Sequence, residues 1–270
     1  MLMTINEGRL KFRRDGGEMN TKDVLARHEA WLNNSPGGKR ADLRGANLDW
    51  ADLHDVNLRE ADLANASLRN AYLHAANLHR ANLRNVCLRG ANLSKADLSN
   101  ADLHDANLNV ANLSNADLSN TNLSKVDLCG ANLNEANLYQ ADLNNANLSR
   151  ADLSGAGLWK ADLSNADLSD ANLSDADLSN VSLSNANLRN ADLSRVDLCD
   201  ADLSNANLSN ANLSKADLNK ADLCGADLSN ANLHQANLYD AYLSGANLHG
   251  VKGLLDPLTK TEEGIHEKCR

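Results

Sequence analysis

The fold this sequence predicts is an all-β repeat, a four-sided solenoid of about ten and a half coils with a short α-helical cap at its N-terminal end. Three observations predict it. Leucine recurs every fifth residue without insertion from Leu43 to Leu248. The residue two before it is alanine in 36 of the 42 pentads, valine in five and threonine once, at Thr121. The chain is 43% apolar yet only 3% aromatic, with a single Phe12, so one small set of side chains must fill the whole interior. A core of one residue type repeated implies a uniform cross-section.

Neither ordinary element accommodates a period of five. Five residues advance an α-helix by about 500°, which would spiral the leucines around every side. On a flat strand an odd spacing sends alternate leucines to opposite faces. If each pentad turns the chain by a quarter circle, all leucines meet at one axis, and residues n and n+20 stack at the ~4.8 Å strand spacing. Alanine leaves room for leucine in so narrow a lumen. The last two places of each pentad, rich in Ser, Asn, Asp and Gly, suit the corners.

In chain order, residues 1–18 show no pattern and are expected to be an unstructured leader, with Met19 a candidate native start in place of Met1. Residues 19–40 are the N-terminal cap and turn. Asn20 or Thr21 can begin a helix in which Val24, Leu25, His28, Trp31 and Leu32 share a face, and Ser35-Pro36-Gly37-Gly38 ends it. Residues 41–250 are the repeat, with Leu43, Leu103, Leu163, Leu203 and Leu248 representative of the core. Residues 251–270 complete the chain: Val251, Leu254, Leu255 and Leu258 are placed to plug the last half-coil, followed by a solvated tail.

The A(D/N)LXX signature, as in ADLSN and ANLSK, resembles the pentapeptide-repeat proteins over 210 of 270 residues. The resemblance implies that the solenoid is right-handed and quadrilateral. Some members of the family, including the quinolone-resistance proteins, imitate DNA and occupy the saddle of gyrase.

Sorting the exterior at a period of twenty gives four faces, beginning at Ala41, Ala46, Ala51 and Val56, with formal charges of −5, −1, −3 and −4. Two adjacent faces therefore carry most of the acidity of a chain whose net charge is −10. Asp142 should stack on Asp162, Asp202 on Asp222, and Asp177, Asp197 and Asp217 in one column. Tyr139 and Trp159 fall one coil apart in a column of the same face, with Tyr239 further along it, and Trp50 lies on another face. Stacked outward aromatics on a rigid, acidic face suit a protein contact, because aromatic residues dominate interface energetics.

No chemistry-bearing motif is present: no nucleophile elbow, phosphate loop, dinucleotide fingerprint or zinc-protease helix. His54 and His74 stack with His79 near the adjoining corner, but a packed rod presents flat or convex faces, and solvated histidines are the expected reading. Catalytic, cofactor and metal sites are accordingly expected to be absent. The acidic surface disfavours nucleic-acid binding. No apolar run approaches the roughly 20 residues of a membrane span, and the N-terminus lacks the apolar middle of a secretory signal. Five cysteines, odd in number and without close pairing, point to free thiols in a reducing compartment and so to the cytoplasm. The function expected is a non-enzymatic rigid scaffold for a protein partner with a basic surface. The alternative is a DNA-mimicking modulator of a type II topoisomerase. Partner and oligomeric state are not written in the sequence.

Overall fold

The computed structural model describes residues 11–14 and 17–253. From Asp42 to Lys252 the chain winds as a four-sided β-solenoid, in which each residue before a core leucine forms a parallel bridge with the residue twenty further on, from Asp42 with Asp62 to Asn232 with Lys252. The quarter-turn per pentad is therefore kept without a slip. Bonds between coils repeat in the same way along the rod: Leu163 N–H donates to the Ser182 carbonyl at 2.7 Å, Asn165 N–H to Ser184 at 2.9 Å, and Ser182 N–H to Ala161 at 3.1 Å.

Each corner is closed by a bond from the next alanine to the preceding leucine, such as Ala166 N–H to the Leu163 carbonyl at 3.1 Å. The residue before that alanine holds a positive φ at every corner, 60° at Asn165 and 61° at Lys215, as a type II turn demands of its third residue. Asparagine and glycine are frequent there because they tolerate the left-handed region. Inside, the leucines and alanines are sealed from solvent: Leu43 is 1% exposed, and Leu103, Leu163 and Leu203 are 0%. Thr121 replaces an alanine without leaving a polar orphan, because its hydroxyl donates to the Leu98 carbonyl at 2.9 Å.

The ends depart from expectation. Residues 11–20 fall largely in the stretch read as an unstructured leader, yet β1 (Lys11–Arg14) and β2 (Gly17–Asn20) pair antiparallel, with Arg14 opposite Gly17. The two residues between them in the chain, Asp15-Gly16, are a favoured hairpin dipeptide. Met19 pairs with Phe12 in this ribbon. Helix α1 (Thr21–Leu32) follows, and the Asn20 side chain caps it by accepting from Lys22 N–H at 2.9 Å. Of the predicted stripe Val24 and His28 are buried, with Thr21 beside them, while Leu25, Trp31 and Leu32 are half-buried.

His28 joins helix to solenoid. Its Nδ1 accepts the N–H of Ala41, the first repeat residue, at 3.0 Å, and its ring stacks on Trp31 at 5.5 Å. The turn after α1 folds back so closely that a Cβ on Gly38 would lie 2.4 Å from Trp31 N, so only glycine fits there.

At the far end the core opens. Leu248 is 39% exposed and Leu238 and Leu243 are only partly buried, so Leu248 is not the core residue the repeat implied. The repeat ends at Gly250, and the last leucine has no further coil of pentads stacked on it. Val251 is half-buried; Leu254, Leu255 and Leu258 lie outside the described residues. Among the cysteines, Cys87, Cys129 and Cys199 are free thiols, whereas Cys224 is disulfide-bonded, which corrects the expectation of free thiols throughout.

Candidate interaction face

The Asp and Asn residues before each leucine build a second ladder outside the core. Their Oδ1 accepts the N–H two residues on, as in Asp97 from Ser99 and Asp177 from Ser179, both at 3.0 Å. Where Asn stands one coil above Asp, it also donates Nδ2–H down the column: Asn82 to Asp62 at 3.0 Å, Asn187 to Asp167 and Asn237 to Asp217 at 2.9 Å. An ionised carboxylate only accepts, so Asp standing on Asp breaks this chain.

Those broken rungs are confined to two adjacent faces. One face holds Asp42 under Asp62, Asp142 under Asp162 and Asp202 under Asp222. The next holds Asp97 under Asp117, and the run Asp177, Asp197, Asp217. Arg44 spans the first pair, at 2.8 Å from Asp42 and 3.4 Å from Asp62. Among the described residues no ion pair reaches Asp142, Asp162, Asp177, Asp197 or Asp217. At ~4.8 Å each like-charge contact costs on the order of 1 kcal/mol in water and less with salt.

Tyr139 and Trp159 stack on that second acidic face, with ring centroids 5.1 Å apart and planes 24° from parallel. Trp159 is 39% exposed, and Lys160 Nζ lies 4.2 Å from its ring centroid. Tyr239, though exposed, is four coils further along the column, roughly 19 Å at the strand spacing, and does not join the pair. Between them lie Ser179, Cys199 and Asn219. The Cys199 thiol is pushed up to about 12, chiefly by burial and further by the carboxylates of Asp197 and Asp217, so it stays protonated at neutral pH. Trp50 and Tyr72 are each 52% exposed on other faces.

The pentapeptide-repeat family model matches in overlapping copies from residue 39 to residue 252. The chain belongs to the pentapeptide-repeat family. Among solved structures it is similar to HetL, a pentapeptide repeat protein involved in heterocyst differentiation regulation from the cyanobacterium Nostoc sp. strain PCC 7120. The two share 35% identity over 87% of this chain and 94% of that one, at a TM-score of 0.63. It is also similar to Rfr23 from the cyanobacterium Cyanothece 51142, at 32% identity over 41% of this chain and 86% of that one, with a TM-score of 0.36. The quinolone-resistance protein QnrB1 aligns at 19% identity over 78% of this chain and 88% of that one, with a TM-score of 0.48. No curated protein matches. The fold is the family's right-handed quadrilateral β-solenoid.

Many polar side chains of this pentapeptide-repeat rod are engaged with one another. His54 Nδ1 lies 2.5 Å from Asp52, which holds its pKa above the usual histidine value, while His74 pairs with Ser94 and His79 with Ser99. No three potential ligands converge on a metal position among the described residues. One trio has the look of a charge relay: Ser124 Oγ is 2.7 Å from His104 Nδ1, and His104 Nε2 is 3.0 Å from Asp105. The backbone N–H groups around it are already spent, Leu123 on Asp142, Ser124 on Asn122 and Lys125 on Asn144, so none is left to stabilise an oxyanion. Sequence reasoning overlooked Gly157 and the exposure of Tyr72. Both were visible as two of the six pentads with neither Asp nor Asn before the leucine.

Proposed function

We propose that this chain is a non-enzymatic rigid scaffold for protein–protein interaction, and that it presents the face carrying Tyr139, Trp159, Asp177, Asp197 and Asp217 to a partner with a basic surface. One observation carries the reading: a stacked aromatic pair stands beside a run of three aspartates that neither an ion pair nor, at Asp177 and Asp197, a donor from the coil above compensates. A partner's cations would relieve that repulsion, while the aromatic pair supplies apolar area, the combination typical of energetically dominant interface positions. The test is capture of partners from the native cell by wild type and by Tyr139→Ser plus Trp159→Ser. Identical partner sets would refute the aromatic contact.

The same acidity is what favours the second reading, mimicry of DNA toward gyrase. Duplex DNA carries a charge per ~1.7 Å and so about 30 over a ~50 Å rod, against −13 on the four faces here. That is under half, and a supercoiling assay showing neither inhibition nor protection removes it.

A further inference from the structure

We propose that Gly157 is a missing rung in the Asp/Asn ladder, and that the gap receives a side-chain carboxamide, Asn or Gln, from a basic protein partner. The proposal rests on the scaffold reading and specifies the chemistry of its contact.

Three features of the gap point to a carboxamide. The first is an open donor. In nearly every pentad the N–H two residues after the ladder position is taken by a carboxyl or amide oxygen, as in Tyr139 N–H to Asn137 at 3.2 Å and Ser179 N–H to Asp177 at 3.0 Å. Gly157 has no side chain to offer, and Trp159 N–H has no acceptor among the described residues. The second is space. The ladder position is also not Asp or Asn at Ser67, Tyr72, Cys87, Ser182 and Tyr242, but there a side chain fills the place. At Gly157 an added Cβ would meet nothing within 4 Å. The backbone does not require glycine, since Gly157 is not among the positive-φ positions and keeps both ladder bonds, to Ala136 at 3.0 Å and from Leu138 at 2.7 Å.

The third feature is the lining. Asn137 pairs with Gly157 from the coil below and Asp177 from the coil above, and Trp159 stands two residues along. The gap therefore offers one donor, the Trp159 N–H, together with acceptors on Asn137 and Asp177 and an indole beside them. A guanidinium or ammonium has no acceptor for the N–H, and a carboxylate has no donor and would face Asp177. A carboxamide satisfies both sides, and it is the group the chain itself uses for this purpose, with Nδ2···Oδ1 distances of 2.9–3.4 Å in other columns. The flanking run from Asp177 to Asp217 selects a partner with Lys or Arg next to that amide.

Gly157→Asn tests this, because the new side chain should fill the rung from within while keeping the fold. Random dodecapeptides displayed on phage are panned on the immobilised full-length protein, and enriched peptides are then measured in solution by fluorescence anisotropy. The expected peptides combine Asn or Gln with Lys or Arg, and bind Gly157→Asn roughly tenfold more weakly, the effect of losing one well-made polar contact. Replacing their amide residue by Leu should weaken binding to wild type but not to Gly157→Asn, and peptide binding should shift the Trp159 amide resonance. Peptides that bind both proteins equally but are lost on Trp159→Ser would overturn the missing-rung inference and leave the scaffold face standing. Peptides insensitive to both changes would sink both, and no enrichment at all would overturn the inference.

Discussion

Replacing the same residue at the same place in two pentads isolates what the stacked core is worth. Leu163 is fully buried in the middle of the rod, with Leu143 and Leu183 in the coils on either side, whereas Leu248 occupies the equivalent place at the open end and is 39% exposed. Leu163→Ala loses the full transfer free energy of the deleted atoms, about 2–3 kcal/mol, and adds a cavity term, because coils tied by hydrogen bonds of 2.7–3.1 Å cannot collapse into the space. The total expected is about 3–5 kcal/mol. Leu248→Ala surrenders only the part already out of water and opens no closed cavity, so about 1 kcal/mol is expected.

Urea denaturation followed by circular dichroism measures both. Each coil touches only its neighbours, so Leu163→Ala should also split or broaden the transition as the halves uncouple, while Leu248→Ala should not. Equal losses at the two positions would refute the idea that stacking between coils, and not the pentad itself, holds the leucines in place.

His28 predicts an acid-sensitive N-terminal cap: burial lowers its pKa, the Arg59 backbone partly opposes this, and the weaker charges of Arg40 and Glu60 act in opposite senses. A lowered folded pKa means that the cap's contribution is complete above about 6.5 and is lost as pH falls from there through the folded value, since protonation removes the Nδ1 acceptor from Ala41 N–H. The protection factor of the Ala41 N–H against hydrogen exchange should therefore fall below pH ~6.5, and His28→Leu should abolish that pH dependence. His54, with its pKa raised by Asp52, works in the opposite sense but is a surface pair of little weight. Val110 holds a φ of 51° with a β-branched side chain, so Val110→Asn should raise stability by about 1 kcal/mol in the same urea assay; no gain would mean that the corner is unstrained. Asp197→Asn should supply the missing donor to Asp177 and remove two like-charge contacts, a gain of about 1 kcal/mol that shrinks with salt. A salt-independent change would refute the electrostatic account.

The winding of the chain was legible because nothing interrupts it: a period of five that keeps every leucine inside has one solution, and it fixes that residues such as Asp177, Asp197 and Asp217 share a column. The ends were less legible, for physical reasons. Leu248 carries the same local sequence as Leu163, and its exposure follows from having no pentad coil beyond it, a property of position in the stack. The β1–β2 ribbon rests on two four-residue strands, too short for an alternation to register, and its one signal was the Asp15-Gly16 dipeptide. Which of the two corner residues takes the left-handed conformation was also legible, since within the repeat corners glycine falls only in the second place and asparagine is concentrated there.

The same distinction applies to function. An Asn over an Asp is a closed rung, its donor and acceptor both consumed within the column, as at Asn147 over Asp127, Asn187 over Asp167 and Asn247 over Asp227 on the least charged face. An Asp over an Asp is open, with acceptor capacity left for something outside the chain. The choice between two nearly isosteric residues thus leaves the coil unchanged and decides which face keeps unspent acceptors. Gly157 carries this further, since deleting the side chain exposes a donor in the middle of acceptors. In a rod whose core is invariant, specificity can be held only in such departures, and here the stacked aromatics, the longest open run and the one empty rung fall on the same face within a few coils of one another.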